Sequence, residues 1–142
     1  MPRSRIAGAL ALAWLAACVG NTDAVPLVAS DVRVTAARPG TSMSAGYLTL
    51  ENPGASPVAL TRVTSPQYER VELHETVVEN DIARMRPLAG LSIAPGETLR
   101  LEPGGRHLML MQRRADGAST TLEFWSGDTL LLRVDAAAAT GD

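Results

Sequence analysis

Two histidines and two methionines stand in the pattern H-x10-M-x21-H-x-M: His74, Met85, His107 and Met109. The chain has 2 histidines in all, so this pattern uses both. Imidazole nitrogen and thioether sulfur form a soft, neutral donor set that suits Cu(I) better than Mg²⁺, Ca²⁺ or Zn²⁺. The one cysteine, Cys18, lies far upstream, so no thiol competes in this region. Taken singly, each residue has a plainer reading. Met109 and Met111 lie in Leu108-Met109-Leu110-Met111 and could fill a core, as most strand methionines do. A single histidine could be a satisfied polar group. The joint pattern is what favours ligation.

Strand alternation puts residues i and i+2 on one face. His107 and Met109 therefore point the same way, about 7 Å apart along a strand. The turn Pro103-Gly104-Gly105 just upstream puts the pair at a strand end, near a rim. His74 is expected near the end of its own strand, also at a rim. Met85 is expected on the segment returning from a turn around Asn80-Asp81.

The elements that must position these groups read as short strands. They cover 28–37, 45–51, 58–64, 70–75, 82–86, 91–93, 98–101, 107–111, 120–125 and 129–134. Asn52-Pro53-Gly54, Ser65-Pro66 and Pro95-Gly96 are among the turns between them. With no amphipathic helix in the pattern, this spacing predicts one all-β domain, a sandwich or barrel. Tyr47 is expected in the core. Phe124 and Trp125 are adjacent, so one should be core and the other partly exposed. Met43 and Met111 are candidate auxiliary thioethers. The plainer readings are a loop residue capping the core for Met43 and core filling for Met111.

Arg3 and Arg5 precede an apolar run over 6–17, too short to span a bilayer comfortably and laid out as an export signal. The run ends at Leu15-Ala16-Ala17-Cys18, which resembles a bacterial lipobox. The expected organisation is a signal at 1–17, a tether at 18–27, a β-sandwich at 28–135 and a frayed tail at 136–142. A lipid on Cys18 would anchor the protein in the cell envelope, facing the periplasm. Loss of Arg3 and Arg5 with the leader takes the formal charge from −2 to −4. The 13 basic residues are all Arg and are scattered, which is no nucleic-acid footprint.

The spacing of the four residues resembles the signature of the PCuAC family of periplasmic copper chaperones. The surroundings are similar too: Gly46-Tyr47-Leu48-Thr49-Leu50-Glu51-Asn52, Val71-Glu72-Leu73-His74-Glu75-Thr76, Met85-Arg86-Pro87, and the run from Pro103 to Met111. The resemblance spans about residues 28–134. It implies a cupredoxin-like Greek-key β-sandwich holding one Cu(I) at a surface site through His74, Met85, His107 and Met109. It further implies that the cargo goes to copper-accepting proteins, towards the copper centre of cytochrome c oxidase. The alternative is a copper buffer that delivers to no partner. The segment 112–121 departs from the family pattern, and the region after Val134 shows no His/Met-rich extension, which favours a single Cu(I) site.

The chemistry reads as a carrier and not an enzyme. Electron-transfer cupredoxins use a Cys thiolate, and the expected domain contains none. No catalytic triad is apparent. His74-Glu75 alone is a weak acid–base signal, with Glu75 read as pointing outward. Arg86 and Arg106 flank ligands and read as solvated strand charges, or as groups steering an acidic partner.

Overall fold

Alternation carries most of the architecture. In 43–51 the inward positions are Ser44, Gly46, Leu48 and Leu50, all buried, and the residues between them are not. A computed structural model describes residues 27–37, 39–114 and 119–137. The expected signal at 1–17, the lipidation site Cys18 and the tether up to 26 lie outside the described residues.

Among the described residues eleven strands form: β1 Val28–Val34, β2 Met43–Glu51, β3 Val58–Leu60, β4 Arg62–Thr64, β5 Tyr68–Glu79, β6 Ile82–Leu88, β7 Leu91–Ile93, β8 Thr98–Leu101, β9 Arg106–Arg113, β10 Ser119–Ser126 and β11 Thr129–Ala137. The large sheet runs β1-β2-β9-β5-β6, with β8 also paired to β2. A second sheet runs β11-β10-β4, and β3 pairs with β7. All pairings are antiparallel. Leu48, Leu50, Leu99, Leu101, Leu108 and Leu110 of the large sheet share one core with Leu60, Val63, Ile93, Leu122 and Phe124. The all-β sandwich expected from the sequence is what forms.

The differences have local causes. The single strand expected at 58–64 is two, because the chain changes partner at Thr61: β3 joins β7, β4 joins β10, and the Thr61 N–H donates to the Trp125 carbonyl at 2.9 Å. The strand expected at 70–75 runs from Tyr68 to Glu79. Asn80 and Asp81 both take positive φ, 52° and 60°, the signature of a two-residue type I′ hairpin turn. That turn closes the ladder from Leu73↔Leu88 to Glu79↔Ile82. At the C-terminal end the strand continues past the expected boundary, and Ala136 is buried in the core instead of starting a frayed tail. Leu27, expected in the tether, is also a core residue.

Tyr47 is not core. It lies on the outer face of β2, half-buried, with the Arg33 guanidinium 5.5 Å from its ring centroid. The buried tyrosine is Tyr68, whose hydroxyl bonds Ser44 at 3.2 Å. Phe124 is fully buried, whereas Trp125 turns outward and donates its ring N–H to Thr64.

Gly46 is required where β2 crosses β9. A Cβ there would stand 3.1 Å from Leu108 Cβ and 3.2 Å from Leu110 Cδ1. Leu108 sits between His107 and Met109, so this contact sets how closely β9 lies on β2. Gly46→Ala should cost about 1–3 kcal/mol in overpacking, against roughly 0.4–1 kcal/mol returned by a stiffer unfolded chain. Denaturant unfolding should therefore show a net loss of stability with an unchanged m-value.

Candidate metal centre

The register of three strands builds the site on the outer face of the large sheet. His74 stands directly opposite His107 across β5 and β9, and Glu72 stands opposite Met109. On the other side of β5, Thr76 faces Met85 of β6. Alternation keeps Glu72, His74 and Thr76 on one face. The same face of β9 carries His107, Met109 and Met111, while Leu108 and Leu110 point into the core. The expected orientation of the His107/Met109 pair is thus met.

The rim placement holds for one histidine only. His107 is the second residue of β9, whereas His74 lies in the middle of the longer β5. Past Glu75↔Arg106 the β5–β6 hairpin has no β9 beside it, and this overhanging arm carries Met85. The arm curls over the sheet. Met85 lines an open depression of about 380 Å³ together with Met109, Ala45 and the connection between β1 and β2.

The two imidazoles are 5.9 Å apart between centroids and inclined at 48°. His107 is only 4 % exposed. Its Nδ1 lies 3.1 Å from the Gly105 carbonyl. A carbonyl only accepts, so in the neutral ring Nδ1 carries the proton and Nε2 presents a lone pair. His74 Nε2 lies 2.9 Å from Glu72 Oε2. The carboxylate accepts there, so the proton sits on Nε2 and the lone pair on Nδ1. The atoms left over, His74 Nδ1 and His107 Nε2, are both buried and have no hydrogen-bond partner. Buried polar atoms are rarely left in this state. Two of them in facing rings, each with its other nitrogen fixed by an acceptor, fit a pair of metal donors held in fixed tautomers. Among the described residues no three His, Cys, Asp or Glu side chains form a metal cluster; the thioethers nearest in register are Met109, opposite Glu72, and Met85, opposite Thr76.

Glu72, which fixes the orientation of His74, is not singled out by the sequence pattern. It is held in turn by Arg70, whose Nε lies 3.1 Å from Glu72 Oε1. Its signal is its place two residues before His74 on a strand. Glu75, expected to point outward, lies instead on the face of β5 opposite His74, the face of Leu73, and meets Arg106 at 3.3 Å. Arg86 pairs with Glu79. Neither arginine turns to the histidines. Met43 is not a loop residue; it opens β2 on the outer face, 48 % exposed, opposite Met111. Met111 does not fill the core. It is partly exposed, with its sulfur 3.5 Å from an Arg70 guanidinium nitrogen that donates to it.

Comparison with known proteins gives the same picture of the fold. Residues 27–136 match the family LpqE-like, described as "Putative lipoprotein LpqE-like". "Putative lipoprotein Lxx21020" of Leifsonia xyli subsp. xyli (strain CTCB07) is 35 % identical over 96 residues, covering 63 % of this chain and 58 % of that protein. The chain thus spans little more than half the length of this curated relative. Among solved structures, the copper-bound PCuAC domain from PmoF2 superposes with a TM-score of 0.62 at 18 % identity, covering 78 % of this chain and 89 % of that domain. The solution structure of apo-DR1885 from Deinococcus radiodurans superposes with a TM-score of 0.60 at 25 % identity, covering 99 % and 97 %.

Proposed function

Because this chain belongs to the LpqE-like family and has the fold of PCuAC domains, we propose that it is a Cu(I) carrier of the cell envelope, binding one ion through His74, Met85, His107 and Met109. The observation that carries this reading is the pair of buried, unpartnered ring nitrogens on two histidines that stand opposite each other, on the sheet face that bears both thioethers. That copper is bound by one domain of this fold supports the choice of metal.

Neutral imidazoles and thioethers add no charge of their own, so the ion and its ligands together carry +1. This favours the reduced ion over Cu(II). Thioethers do not pair into disulfides, which suits an oxidising compartment, and a set without thiolates exchanges its ion readily. These properties belong to a protein that hands copper on. Cys18 carries the lipid, a reading supported by the names of the family and of the Leifsonia relative. The recipients are cuproenzymes of the same compartment, with the respiratory oxidase copper centre first among them.

Anaerobic titration of the mature protein with Cu(I) in competition with a chromogenic chelator should show one ion bound per chain. The affinity should fall as the pH is lowered, because protons compete for the imidazoles. Cu(I) left wholly with a weak chelator would sink the assignment. Oxidase activity in a deletion strain under copper limitation tests delivery: a loss supports it, and parental activity favours storage.

A further inference from the structure

The depression that holds Met85 and Met109 contains a third thioether. Met43 lines it as well, whereas neither histidine does. Met43 stands opposite Met111, and Met109 lies one step along the same face, opposite Ala45. This diagonal arrangement is within reach of long side chains. Small neighbours such as Ala36 and Ala45 leave the space open. Met43 is 48 % exposed and Met85 59 %, whereas His107 is buried and the His74 side chain is only 14 % exposed. Large exposed apolar side chains cost solubility when they serve nothing, yet here two of them flank one opening.

We propose that Met43, Met85 and Met109 form a second, all-thioether Cu(I) station, at which the ion docks before it reaches the histidines and pauses again on its way out. The proposal deepens the carrier reading and rests on it. Three neutral sulfur donors select Cu(I) over harder ions. Met85 and Met109 belong to both stations, so the ion moves inward by exchanging the Met43 sulfur for the two ring nitrogens. No electron or proton is transferred, and the ion is never released to water. Met43 thereby lowers the barrier to exchange without adding to the final grip.

The test uses the mature protein with ¹³C-methyl-labelled methionine and Cu(I) under anaerobic conditions. In His74→Ala/His107→Ala, the methyl signals of Met43, Met85 and Met109 should all shift on Cu(I) addition, at weaker affinity than in the parent, while that of Met111 stays. In the otherwise unaltered protein, Met43→Leu should slow Cu(I) transfer to a chelator several-fold. This second arm decides the matter if the double variant does not fold. Shifts of Met85 and Met109 without Met43, or a parental transfer rate in Met43→Leu, would overturn the station and leave the carrier reading standing. Unshifted Met85 and Met109 in the parent protein would overturn both.

Discussion

His107→Leu is expected to stabilise the metal-free protein and to abolish its stabilisation by Cu(I). The parent holds His107 Nε2 buried without a partner. Such an atom costs about 1–3 kcal/mol. Leucine has a similar bulk and no polar atom to strand. The Gly105 carbonyl that loses the ring N–H keeps the Thr76 N–H at 3.1 Å, so no new orphan appears. The loaded protein should respond in the opposite sense. A ligand that binds only the folded state, present at a thousand times its Kd, adds about 4 kcal/mol, and the variant forfeits most of this. For a domain of this size about 1 kcal/mol moves the melting temperature by roughly 2–8 °C. Paired thermal unfolding with and without Cu(I) should therefore cross over between parent and variant. A variant that is less stable than the parent when metal-free, and gains as much from Cu(I), would show that His107 is a structural residue.

Glu72→Ala should lower Cu(I) affinity by about 10–100-fold, the usual loss when a group that orients a metal-binding histidine is removed. Glu72 accepts from His74 Nε2 at 2.9 Å and is held by Arg70 at 3.1 Å. Without it, nothing fixes which ring nitrogen of His74 carries the proton or how the ring is turned. Glu72→Gln keeps an oxygen that can accept and should restore most of the affinity. Long-range ¹H–¹⁵N spectra of the metal-free protein give an independent readout: one tautomer of His74 in the parent and in Glu72→Gln, a mixture in Glu72→Ala. A carboxylate that merely supported the fold would change the melting temperature and leave the tautomer alone. Parental affinity in Glu72→Ala would remove Glu72 from the site.

Strand positions and faces were legible because burial follows a period of two. The alternation of 107–111 alone puts His107 and Met109 on one face, and the structure agrees. Partnership was less legible. That His74 faces His107 depends on a ladder between residues more than thirty positions apart, which no local pattern encodes. The length of β5 was hidden because Glu75 and Glu79 interrupt its hydrophobic pattern, while the positive-φ pair Asn80 and Asp81 extends the hairpin. Tyr47 and Met111 were read inward on residue type. Their neighbours Leu48 and Leu110 take the core positions instead, and strand geometry then turns Tyr47 and Met111 outward. Glu72 is hidden because strand alternation, not adjacency in sequence, brings its carboxylate to His74.

The proposed donors are unevenly supported. His74, His107 and Met109 stand on strands laddered to each other from Tyr68↔Arg113 to Glu75↔Arg106. Met85 rides on an outermost strand, paired to Thr76 of β5 in the stretch beyond that ladder, close to the positive-φ turn Asn80-Asp81. Residence time and capture can therefore evolve apart. Changes in the Asn80-Asp81 bend would retune how long the cargo lingers while leaving intact the cradle that receives it, and a lineage could hasten or delay handover without rebuilding the sandwich beneath.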